Sequence, residues 1–193
     1  MDHTTLSLTD VRTGLDAVAR EAQALFGRLD AQQVNWRPAP AAWSVGQCLE
    51  HLVTTNALML DAARSALDDT RPRTIWQRVP VVPGLLGRMM IRSLSPGAIR
   101  KLPAPTTARP HPSDVASDVV QRFAEQQTNA AAWVHGLDER TAARVIMVSP
   151  FARIVTYSVL DACRLVLAHD RRHLEQARRV MDSPGFPRGS RAA

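Results

Sequence analysis

With 193 residues, 45% of them hydrophobic and 22% charged, the chain reads as a soluble globular protein, most simply one domain with a sizeable core. No run approaches the roughly 18 apolar residues of a membrane span. The N-terminal MDHTTLSLTD lacks the basic start and apolar run of a secretory signal, so the expected location is cytoplasmic. Two cysteines and no C-x-x-C pair exclude a disulfide scaffold and a sulfur-rich zinc site, and the net charge of +6 is concentrated in one stretch.

The predicted elements follow in chain order. Leu8, Val11, Leu15, Val18, Ala22, Leu25 and Leu29 recur at steps of three and four, which predicts a first helix ending near Leu29, with Thr9 as N-cap and Asp10 in its first turn. Two prolines then lead to Trp43, and Ser44-Val45-Gly46-Gln47 has the pattern of a capping box opening a second helix. Cys48, His51, Thr55, Leu58 and Ala62 share one face of it, beside Leu49, Leu52, Met59 and Ala63, so His51 is expected on the core side. Residues 70–113 carry eight basic side chains and no acid, against 16 basic and 18 acidic residues elsewhere. Eight of the 13 prolines also fall there, so this connector cannot be one regular helix. Within it, Gly84 to Leu94 is predicted to form a short amphipathic helix laid over the body.

A third helix is expected to open at Ser113 and Asp114, with the stripe Val115, Val119, Phe123, Gln126, Ala130, Trp133 and Leu137, and to stop near Gly136. Thr141 to Val155 reads as a short helix or an extended approach broken at Pro150, without strand-period alternation. The fourth helix is expected from Thr156–Ser158 to about Met181, with a frayed tail after it. The expected architecture is therefore all-α: a four-helix bundle over residues 1–182, with the long basic Pro-rich crossover 70–113 between its second and third helices and a flexible tail 183–193.

The fourth helix carries the most chemistry. In LAHDRRHLEQ, Leu167 to Gln176, His169 and His173 are four apart and project from one face, a spacing that can present two imidazoles to one metal ion. Six histidines scattered at random supply such a pair about one time in seven, so spacing alone is weak. Register strengthens it, because both lie on the stripe Val159, Ala162, Val166, His169, His173, Gln176, Val180, whereas Arg171, Arg172, Arg178 and Arg179 fall mostly elsewhere. Imidazoles facing an apolar interior need partners, since an unsatisfied buried polar group costs about 1–3 kcal/mol. A metal, a carboxylate or a carbonyl would serve. The pair is not a metalloprotease motif, because Asp170 stands where H-E-x-x-H has its glutamate and points about 100° away from His169. Asp170 is expected at the surface or behind the site, and neither Glu50 nor Glu175 has the geometry of a base.

WSVGQCLEHL, Trp43 to Leu52, together with LAHDRRHLEQ resembles the DinB-like (DinB/YfiT-like) superfamily of metalloenzymes across nearly the whole chain. The resemblance implies a four-helix bundle that holds zinc, nickel or a similar divalent ion on three histidines, which here fall on His51, His169 and His173. It also implies chemistry in which the ion activates water or a low-molecular-weight thiol for hydrolysis or S-transfer. A homodimer formed through a helix face is a separate expectation, with no face singled out by the sequence. Several thiol-using relatives carry a second domain that this chain has no length for, and fold membership does not fix chemistry.

Other side chains have two readings each. Gln47, Cys48 and Gln176 could stand behind the metal ligands, or serve as a structural hydrogen-bonding group in the glutamines and a small buried thiol in Cys48. Trp36, Trp43, Trp76 and Trp133 are core or lid packing, and Tyr157 is structural at a helix entrance. Arg88 and Arg92 of the connector could attract an anionic small-molecule substrate, or be a solvated arginine-rich surface. Nucleic acid is a weaker partner for the connector, since Trp76 is the one aromatic available there for stacking and no recognised binding motif is present. The rival to an enzyme is a non-catalytic metal-binding or stress-related bundle protein.

Overall fold

The computed structural model describes residues 2–68, 82–97, 109–110 and 113–188. Among these, the long helices are α1 (Leu8–Phe26), α3 (Val45–Asp68), α5 (Val119–His135) and α7 (Val159–Met181). Shorter helices are α2 (Ala31–Asn35), α4 (Val82–Leu94) and α6 (Glu139–Arg144), and a hairpin of β1 (Ile146–Ser149) and β2 (Ala152–Ser158) precedes α7.

Local chemistry sets the helix starts. α1 begins two residues earlier than the Thr9 cap expected from sequence: the Ser7 hydroxyl accepts from Asp10 N, and the Asp10 carboxylate accepts from Ser7 N. Leu8 N donates to Glu139 Oε2 at 3.0 Å, so α6 supplies a further partner at that terminus. α1 also ends early, at Phe26, and the Leu29 region turns into α2. The α3 capping box forms as expected, with Gln47 N donating to Ser44 Oγ at 3.1 Å and Ser44 N donating to Gln47 Oε1 at 3.2 Å. α5 opens at Val119, five residues beyond the expected Ser113–Asp114 start, and ends at Gly136. The segment before it is held instead by Asn35, whose amide bonds both Val115 N and Val115 O. α7 starts where expected, capped by Ser158 Oγ, which accepts from Asp161 N.

The long helices form a ring in which α1 lies along α5 and α7, and α3 lies along α5 and α7. Successive long helices α1 and α3 are thus diagonal to each other, as are α5 and α7. The core between them is filled by Val11, Leu15, Val18, Phe26, Leu49, Leu52, Phe123 and Leu174, all at most 2% exposed. Each such side chain contributes about 1.5–3 kcal/mol of burial free energy. α1 comes close enough to α7 that a Cβ on Gly14 would sit 2.5 Å from Leu167 Cδ2.

The hairpin corrects the expectation of no strands. Ile146 pairs with Ser158, Met147 with Tyr157 and Val148 with Thr156, and Pro150 occupies the turn. α4, expected from Gly84 to Leu94, forms from Val82 and packs on α7 and β2. Residues 70–81, 98–108 and 111–112 of the basic connector, Trp76 included, lie outside the described residues. The frayed tail is also corrected in part, because Phe186 meets the Trp36 ring edge-on at 5.5 Å and Gln33 Nε2 donates to Pro187 O at 2.7 Å.

Candidate metal centre

His51 from α3 and His169 and His173 from α7 converge in the ring's interior, each at most 9% exposed. Nε2 of His51 lies 3.3 Å from Nε2 of His169, and one nitrogen from each of the three rings falls within 4.8 Å of the others. Two nitrogens bonded to one zinc at about 2.0–2.1 Å and a tetrahedral angle would be about 3.3–3.4 Å apart, so the closer pair already has the spacing of shared ligands. His173 Nδ1 is buried with no hydrogen-bond partner among the described residues. A trio of soft-to-borderline nitrogen donors with one orphaned atom fits a divalent ion of the zinc or nickel kind.

Electrostatics keep His169 and His173 in the neutral, ligating form. Burial pushes His169 well below the usual histidine value, and the neighbouring His173, His51 and Arg172 push the same way. Burial likewise takes His173 down to about 3, with His51 and Arg172 adding to it and the Gln176 side chain opposing. Trp43 fixes the ring orientations: it stacks on His173 at 5.7 Å and 17° and meets His51 at 5.0 Å and 56°. The helix start that carries Trp43 therefore also builds the wall of the site.

Above the histidines is a cavity of about 550 Å³, bounded by the loop 38–43, α3, the C-terminal part of α4, the hairpin and α7. Gln176 lines it, as the α7 stripe predicts. Gln47 does not, and its side-chain oxygen is engaged at the α3 start. Cys48 is a buried free thiol outside the cavity lining, and burial pushes it up to about 12, far from a reactive thiolate. Arg88 and Arg92 are exposed on α4, and neither is among the lining residues. Among the described residues, the arginines that reach the cavity are Arg172 and Arg179 of α7, which the stripe reading had set aside. Tyr157 is more than a structural residue at a helix entrance, since its ring lines the cavity, its hydroxyl donates to Met59 Sδ at 3.2 Å, and burial raises it to about 12.

Asp170, expected at the surface or behind the site, is 0% exposed; its Oδ1 accepts from Asn56 Nδ2 at 2.8 Å, and its Oδ2 is buried without a hydrogen-bond partner among the described residues. Burial raises it to about 8 against the opposing Asn56 hydrogen bond and Arg171 charge. It does not line the cavity, nor do Glu50 and Glu175.

A ring of four long helices with a buried tri-imidazole cluster defines the class of helical-bundle proteins that carry a metal-type site on facing helices. A family model for the DinB superfamily matches residues 14–177, and the chain belongs to that superfamily. Among solved structures, YfiT from Bacillus subtilis is similar over 93% of this chain and 89% of its own, with a TM-score of 0.60 and 12% identity. YfiT is described as a probable metal-dependent hydrolase with an unusual four-helix bundle topology. No curated protein matches the chain. No helix among the described residues is long and apolar enough to cross a membrane.

Proposed function

We infer that the protein is a metal-dependent hydrolase of small molecules, with His51, His169 and His173 as the ligands of one divalent ion. The observation that carries this is three buried imidazoles, with two nitrogens 3.3 Å apart, at the base of a cavity of about 550 Å³. The description of YfiT supports the reaction class. A divalent ion on this trio supplies Lewis acidity, which polarises a substrate oxygen and lowers the pKa of water.

The chain's own residues do the rest. The depressed imidazoles stay neutral through the physiological range, so protons compete little for the ligand nitrogens. Trp43 holds two of the rings and limits the water around them. The Tyr157 hydroxyl stays protonated, and its acceptor is a thioether, which is weak, so it can turn to donate to a substrate oxygen in the cavity. In hydrolysis the hydroxyl of water goes to the electrophilic carbon and its proton leaves with the departing oxygen or nitrogen. A low-molecular-weight thiol as nucleophile is the second reading, with the sulfur taking the carbon and the thiol proton leaving with the departing group.

The test is metal content of the parent purified without added metal, beside His51→Ala and His173→Ala, followed by turnover of small esters and amides with and without thiols and chelator. About one ion per parent chain, lost in both variants, together with chelator-sensitive turnover supports the reading. A parent without metal, or turnover indifferent to chelation, overturns it.

A further inference from the structure

The cavity lining above the histidines is of two kinds. Met59, Met90, Leu94, Phe151, Leu165 and Val166 are among its apolar members. Arg172, Gln176 and Arg179 enter from α7 at steps of four and three, on the helix face shared with His169 and His173. Among the described residues, no aspartate or glutamate lines the cavity.

The two arginines differ in what answers their charge. Arg179 has Glu175 Oε2 at 3.8 Å on the exposed rim. Arg172 is half-buried, and Nη1 donates to Ser93 O at 2.7 Å, which engages one of its five N–H donors and neutralises none of its charge. It makes no ion pair with a carboxylate among the described residues. A partly desolvated guanidinium is costly until an anion answers it, and its planar fork suits a carboxylate best.

We propose that the cavity takes a small amphipathic carboxylate, with its apolar body against Met90, Leu94 and Phe151 and its carboxylate on Arg172. This rests on the hydrolase reading and specifies its substrate class. Arg172 is the specificity-determining cation, and its place on the turn adjoining both α7 histidines sets the distance from the anion to the bond that is cut. Cleavage is still addition of water across an ester or amide bond elsewhere in the molecule, and the anchoring carboxylate is unchanged by it.

The test is calorimetric binding of 4-phenylbutyrate and of its neutral amide to the full chain, as purified and after chelation, repeated with Arg172→Gln and Arg172→Lys. The carboxylate is expected to bind roughly ten- to a hundredfold more tightly than the amide, the range of a charge-assisted hydrogen bond. That preference survives chelation, collapses in Arg172→Gln and partly returns in Arg172→Lys. Equal affinities, no binding of either probe, or a preference that vanishes with the metal overturns the assignment, since the last result sends the carboxylate to the ion instead. Should Arg172→Gln unfold by circular dichroism, the parent's preference before and after chelation decides alone. Metal content measured on the same samples separates the two claims. A metal-free parent that prefers the carboxylate sinks the hydrolase and leaves this pocket assignment standing, and a metal-loaded parent without preference does the reverse.

Discussion

Replacing Asp170 with asparagine removes an ionisable group from the interior of α7 while keeping its shape and its acceptor for Asn56 Nδ2. The carboxyl is raised by burial from 3.8 to about 8, so the folded protein keeps a proton that the unfolded chain has already released over that range. Stability from this group is therefore present at acid pH and is lost as pH rises through the window, at about 1.4 kcal/mol per pH unit. Between pH 6 and 8 the loss is about 2 kcal/mol, less than the full two-unit slope because half the protons have gone by pH 8. Urea denaturation of chelator-treated parent and Asp170→Asn at both pH values reads it directly. The difference between the two proteins cancels what the shared histidines contribute. The parent is expected to lose about 2 kcal/mol more than the variant between pH 6 and 8. Parallel profiles would mean that Asp170 ionises normally and that water reaches its unpartnered Oδ2.

The imidazoles act in the opposite direction. His173, at about 3, and His169, also lowered, refuse protons that the unfolded chain accepts, so their contribution to metal-free stability is complete above about 6.5 and falls as pH drops below it. The acid limb of the same denaturation series should be shallower in His173→Gln, and an unchanged slope would contradict the depressed value. Trp43→Ala removes the stack on His173 and the tilted contact on His51, and should weaken zinc binding by about tenfold in a chelator competition titration. An unaltered affinity would show that the rings are held without it. Gly14→Ala places a methyl 2.5 Å from Leu167, itself 2% exposed, and should cost about 1–2 kcal/mol despite the better helix propensity of alanine. Thermal melting checks this, and a stabilised variant would mean α1 and α7 can separate freely.

The histidine trio was legible because it obeys two independent regularities. His169 and His173 lie on one helical stripe, and His51 lies on the core face of a helix whose start is marked by Ser44 and Gln47. The hairpin was not legible, because Ile154 faces outward at 68% exposure and Ala152 and Tyr157 do not restore the contrast, so the period of two is erased. The α1 start was present in the sequence as Ser7 and Asp10, a capping pair built with aspartate in place of the longer acid. Arg172 was misplaced, and the choice between the two readings of Asp170 was left open, for one reason. α7 packs against α1, α3 and α4 at once, so more than one stripe of it is covered, and a polar residue off the main stripe still ends up inside. Which arginines face the cavity depends on where α4 settles on α7, a contact between segments far apart in the chain that no local pattern encodes.

The closest pair of imidazole nitrogens joins positions 118 residues apart in sequence. A cation shared between them is therefore a removable staple across most of the chain, closing a loop whose freedom the unfolded protein would otherwise enjoy. Occupancy and heat tolerance become one variable: each tenfold rise in free metal above its dissociation constant should add about 1.4 kcal/mol to the folded state. Melting temperature against metal concentration then serves as a binding isotherm that requires no knowledge of the substrate.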